Sequence, residues 1–162
     1  MRFVWELATG YGDRDYVVYE DERYTYAEAD AVVRALAHHL RDVHGVREGD
    51  RVAVSMRNYP EWIATFAAIT AVGAVAVPMN AWWQTDELVF AIEDSGARVV
   101  LADDDRLDRL AAAEPGAIDA RLIAVRSTRA QPDSVVRLEE MLSEGATMPE
   151  VEIDPDDDEV PF

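Results

Sequence analysis

Between residues 50 and 125, short apolar runs alternate with longer stretches whose apolar positions recur at helical spacing. The runs DRVAVSM (50–56), AVAVP (74–78), RVVLA (98–102) and RLIAV (121–125) are rich in valine or alanine and apolar at successive positions. That is the pattern of strands buried on both faces. NYPEWIATFAAITAVG (58–73) reads as a helix with Asn58 as cap, Pro60 in the first turn and Gly73 at the end. TDELVFAIEDSG (85–96) reads as a helix capped by Thr85 and closed by Gly96, and DDRLDRLAAA (104–113) and VVRLEEMLSEG (135–145) as two more. Capped helices between both-face strands predict βαβ units. The expected fold is α/β: a mostly parallel sheet with helices on both faces and strands near 51–55, 74–77, 98–102 and 121–125.

Ahead of this block the period is different. DYVVYEDERYTYAE (15–28) predicts a β-hairpin, with the β-formers Tyr16–Tyr19 and Arg23–Tyr26 flanking a charged turn. Thr25 and Glu28 have the capping-box spacing that satisfies free N–H groups at a helix start. Val32, Val33, Leu36, Leu40 and Val43 then form one apolar stripe, stopped by Gly45. Residues 147–162, TMPEVEIDPDDDEVPF, have no helical period and are strongly acidic. The division is therefore an α/β subdomain over 1–146 and an acidic extended linker over 147–162. EVPF reads as the approach to a further strand, so the chain is expected to be a partial domain.

Composition narrows the function. All 15 cationic residues are arginine against 33 acids, a formal charge of −18. Such a chain repels phosphodiester backbones, so nucleic acid is not an expected partner. Without cysteine it has no disulfide, thiol nucleophile or cysteine–zinc site. The start lacks the apolar core of a signal peptide. The run 62–79 approaches membrane-span length, but Gly73 and Pro78 break it into a buried helix and a strand. A cytoplasmic location is the expectation.

Candidate chemistry is sparse. There is no glycine-rich loop between a strand and a helix and no lysine to reach a phosphate, which speaks against dinucleotide-binding, P-loop and receiver-type readings. Asp103–Asp105 lie where a strand gives way to a helix, and the helix dipole stabilises acids there without a metal. His38 and His39 are neighbours, and adjacent helical positions point apart. No catalytic residue and no metal ligand is assigned. Arg106 and Arg109 share a helical face after a parallel strand, the edge where open α/β sheets collect ligands; pairing with Asp103 or Asp105 is the structural alternative. Trp82 and Trp83 stand in a loop at a strand's C-terminal end, where they either meet a ligand or pack against protein.

The order of RYTYAEAD, GVREGDRVAVSMRNYPEW, AITAVGAVAVPMNAWW and DELVFAIEDSGARVVLAD resembles the N-terminal part of the AMP-forming acyl-CoA synthetases, within the adenylate-forming superfamily. VPMNAWW is more similar to the fatty-acyl-CoA branch than to the amino-acid-adenylating one. The resemblance implies a full-length enzyme that activates a fatty or other carboxylic acid with ATP and Mg²⁺ to acyl-AMP, then transfers it to CoA. In that family the phosphate loop, a later acid and a C-terminal lysine carry the chemistry. All would lie beyond Phe162, so this chain alone is expected to be inactive and to hold no cofactor tightly. The resemblance places Asn80, Ala81, Trp82, Arg106 and Arg109 on the CoA side. It makes the missing C-terminal remainder the main partner and leaves exposed surface that favours self-association. The alternative is a free-standing, non-catalytic α/β binding or assembly module.

Overall fold

The computed structural model describes residues 9–142 and 145–151. A two-stranded antiparallel hairpin comes first: β1, Asp15–Tyr19, and β2, Glu22–Thr25, with Glu20 at φ 51 in the turn. Helix α1, Tyr26–His38, starts on the expected capping box, with the Glu28 N–H donating to Thr25 Oγ1 (3.2 Å) and the Thr25 N–H to Glu28 Oε2 (2.8 Å). It runs into one π turn, His39–Val43. Hydrogen bonds that skip to the fifth residue rotate the stripe. Leu36 and Leu40 stay fully buried, but Val43 turns outward and is 56% exposed, against its expected place on the apolar stripe.

The main sheet contains β3, Arg51–Ser55; β4, Val75–Pro78; β5, Val99–Asp103; β6, Arg121–Val125; and β7, Val136–Arg137. Their spatial order is β4-β3-β5-β6-β7, and every pairing is parallel. The four expected strands are present and a fifth joins them. The helix expected over 135–145 is only α5, Leu138–Met141, because Val136 and Arg137 pair with Ile123 and Ala124 at the sheet edge. The connecting helices are α2, Pro60–Ala71; α3, Thr85–Ser95; and α4, Asp104–Ala111.

Two helix starts sit one residue from the expected caps. Tyr59, not Asn58, is the N-cap of α2, because Pro60 occupies the first helical position and forces the residue before it into extended backbone. Gln84, not Thr85, caps α3, its N–H donating to Glu87 Oε2 at 2.8 Å. That leaves the Thr85 hydroxyl free to donate to the Arg109 carbonyl at 2.9 Å. Gly96 ends α3 at φ 65, a left-handed conformation that suits glycine.

Strand alternation divides the core. Val52, Val54, Val99, Leu101, Ile123 and Val125 face α1, α2 and α5. Ala53, Val100, Ala102 and Ala124 face Leu88 and Ile92 of α3 and Leu107 and Leu110 of α4. Helices therefore cover both faces of the sheet. Each fully buried leucine contributes about 1.5–3 kcal/mol of transfer free energy. Among the described residues no helix is long and apolar enough to cross a membrane, and the run 62–79 is divided between α2 and β4. Residues 145–151 have no helix or strand, although Met148 packs against the core. The EVPF segment lies outside the described residues.

Candidate functional site

The chain leaves β3 through α2 towards β4 and leaves β5 through α4 towards β6, on opposite sides. β3 and β5 are neighbours, so the winding reverses between their C-terminal ends, the position where open parallel sheets bind ligands. Asp103 closes β5 at this point and is 4% exposed. Its carboxylate caps α4 by accepting from the Arg106 N–H (3.2 Å), and it accepts from the Arg57 N–H (3.0 Å) across the β3 end. Acceptors suit the positive end of a helix. The Arg106 guanidinium, 2% exposed, completes the set with Nη1 at 3.1 and 3.0 Å from the two Asp103 oxygens.

The same guanidinium reaches the loop after β4. Arg106 Nη2 donates to the Ala81 carbonyl. Arg109 Nη1 donates to that carbonyl at 3.1 Å and to the Trp83 carbonyl at 2.6 Å. Within the loop, Asn80 Oδ1 accepts from the Trp82 N–H (2.9 Å) and the Asn80 carbonyl from the Trp83 N–H (3.2 Å). All five residues expected at the site thus lie in one connected group. The two tryptophans part company: Trp83 packs against the core on the α3–α4 side, whereas Trp82 is 77% exposed. Arg106 is not an open anion receptor. Its charge faces Asp103, its Nη2 is on Ala81, and its buried Nε has no hydrogen-bond partner among the described residues. Together the arginines fix the loop, and Trp82 is the large apolar group it displays.

A third arginine stands at the C-terminal end of β6. Arg126 has φ 51, a strained conformation for a residue other than glycine. Its guanidinium bonds Glu22 of β2 (2.7 and 2.5 Å) and Glu61 of α2 (2.8 Å to both oxygens). It lies 5.5 and 5.1 Å from the Tyr19 and Tyr59 ring centres. This latch ties the hairpin to the sheet. The Arg126 bonds, helped by the Tyr24 hydroxyl, lower the Glu22 carboxyl to about 2, and the bond to Glu22 pushes the Tyr24 hydroxyl up to about 12. No local spacing announced the latch, because its partners are 65 and 104 residues away.

Among the described residues no group of three or more His, Asp or Glu is arranged to hold a metal ion. His38 and His39 do not point apart as adjacent helical residues should: their rings meet edge-on at 5.9 Å where the helix passes into the π turn. His38 Nδ1 takes Asp42 at 2.9 Å.

The chain has clear relatives. It is 29% identical over 152 residues to a 3-hydroxybenzoate–CoA/4-hydroxybenzoate–CoA ligase of Thauera aromatica, covering 93% of this chain and 29% of that protein. It is 40% identical over 81 residues to the long-chain-fatty-acid–CoA ligase FadD13 of Mycobacterium tuberculosis, covering 50% of this chain and 16% of that protein. The inhibitor-bound N-terminal domain of FACL13 from Mycobacterium tuberculosis superposes with a TM-score of 0.77 at 30% identity, covering 96% of this chain and 38% of that one. The chain thus spans less than a third of the length of these two curated relatives. Residues 4–160 match the AMP-binding enzyme family, and the chain belongs to it.

Proposed function

We propose that this chain is the N-terminal part of an acyl-CoA-forming ligase. The whole enzyme activates a carboxylic acid with Mg·ATP as acyl-AMP and passes the acyl group to CoA. The observation that carries the reading is the Asn80–Trp83 loop, clamped by Arg106 and Arg109 beside the winding reversal in a chain of the AMP-binding family. Asn80, Ala81 and Trp82 form the CoA side in this reading, with the exposed indole as a stacking surface. Arg106 and Arg109 serve CoA by positioning that loop. The residues present do not fit ATP or Mg²⁺. Attack on an α-phosphate develops charge that needs fixed donors and a cation. This chain has no lysine and no glycine-rich phosphate cradle.

The isolated chain is accordingly proposed to be catalytically silent, cytoplasmic, and prone to self-association through Trp82, which sedimentation velocity tests directly. In the complete ligase, Trp82→Ala should raise the KM for CoA while leaving acid-dependent ATP–pyrophosphate exchange intact. An unchanged KM, or an equal loss in both half-reactions, would remove the loop from the CoA side. Pyrophosphate exchange by the purified 162-residue chain would overturn its assignment as silent.

A further inference from the structure

A groove of about 360 Å³ runs between the first turns of α3 and the segment that follows α4. Its apolar surface comes from Val89, Phe90, Ala112, Ala113 and Ala117, and its charged positions are Asp86, Glu93 and Glu114. Among the described residues no basic side chain lines it. Phe90 is 66% exposed, the second most exposed large apolar side chain among those described. None of the three carboxylates has an ion-pair partner among the described residues. Elsewhere on α4 the situation is the reverse: Asp104 and Asp108 are both engaged by Arg129, at 3.4 and 2.7 Å.

We infer that this groove docks a basic peptide segment of a partner protein, one large apolar side chain entering the alanine-lined floor and flanking arginines or lysines meeting Asp86, Glu93 and Glu114. Charge selects the occupant. A second copy brings another −18 to an acidic rim, whereas a cationic segment gains from all three carboxylates. The exposed Phe90 ring supplies an apolar and cation-attracting wall. The groove also touches the site described above. Thr85 lines it, and the Thr85 hydroxyl donates to the carbonyl of Arg109, whose guanidinium carries Ala81 and Trp83. A docked segment therefore bears on the base of the Asn80–Trp83 loop.

The probe is a displayed library of random twelve-residue peptides selected against the 162-residue chain. Enriched sequences should carry an aromatic or leucine flanked by basic residues and shift the amide resonances of residues 85–93 and 112–117. Charge attraction alone is separated by two triple variants of equal charge change. Asp86→Asn, Glu93→Gln and Glu114→Gln should weaken the best peptide about tenfold, since three partly exposed pairs are lost. Asp21→Asn, Asp133→Asn and Glu140→Gln should change it less than twofold. Phe90→Ala should weaken it without altering the far-ultraviolet dichroism. Equal weakening by both triple variants, resonance shifts elsewhere, or a dimer that Phe90→Ala dissolves would overturn the inference.

Discussion

Arg106→Met isolates what the Asp103–Arg106 pair does. The two side chains are 6% and 2% exposed, so solvent barely screens them. Removing the guanidinium leaves the Asp103 carboxylate buried with two N–H donors, from position 106 and from Arg57, and no adjacent buried cation. Breaking one partner of a buried pair costs about 3–5 kcal/mol. The two surviving donors place this case at the lower end, about 3 kcal/mol. Asp105, 3.6 Å from Arg106 but 55% exposed, adds little. For a chain of this length the loss lowers Tm by about 6–12 °C. Urea unfolding followed by dichroism, with the midpoint falling at constant slope, reads the change. Asp103→Asn combined with Arg106→Met should be more stable than Arg106→Met alone, because the stranded charge is gone. A loss below about 1 kcal/mol for Arg106→Met, or a double variant no more stable than that single one, would refute the reasoning.

Three further outcomes follow from named groups. The Glu22 carboxyl lies at about 2 against its ordinary 4.5, so its contribution is complete above 4.5 and is lost as pH falls through about 2; Arg126→Lys, which cannot fork between Glu22 and Glu61, should return the Glu22 midpoint towards 4.5 by carboxyl-carbon NMR. His44 titrates below its ordinary 6.5, chiefly through burial and then through Arg121 and His39, so the unfolded chain takes its proton first and stability falls as pH drops below 6.5. Urea midpoints between pH 7.5 and 5 should show that fall, and His44→Gln should reduce it, leaving the part contributed by His39, which burial also lowers. Gly96→Ala forces a side chain to φ 65 and sets its Cβ 2.9 Å from Arg51 Nη2, so thermal unfolding should register a loss of about 1–2 kcal/mol, and a neutral result would mean the α3 terminus relaxes freely.

The sheet was legible because its signal is local. Val52 to Ser55 and Ile123 to Val125 are buried on both faces, and such strands read as unbroken apolar runs. β7 was not legible: two residues have no period, and Val136–Arg137 become a strand only because β6 offers an unpaired edge. Half of the site could be read. Asp103 and Arg106 are three apart on one helical turn, so their pairing is legible in the spacing. The contacts to Ala81 and Trp83 span 25 to 28 residues and end on backbone carbonyls, which carry no residue signature. The separation of Trp82 from Trp83 was equally hidden, because it depends on which indole the anchored loop turns towards the core.

The lack of lysine explains how so acidic a chain builds these anchors. With 15 cations for 33 acids, no cation can be assigned to each carboxylate. A planar guanidinium offers five donors in a fixed fork, so one residue can serve several acceptors whose directions differ. Arg106 uses this to join a carboxylate to a loop carbonyl, Arg109 to join two carbonyls, and Arg126 to join two carboxylates beneath two tyrosine rings. An ammonium group is a compact point charge with three rotatable donors and cannot reproduce that geometry. The three arginines therefore join elements that are distant in sequence at the C-terminal edge of the sheet. Among the described residues, the α3 groove is where three carboxylates without an ion-pair partner meet an exposed aromatic ring.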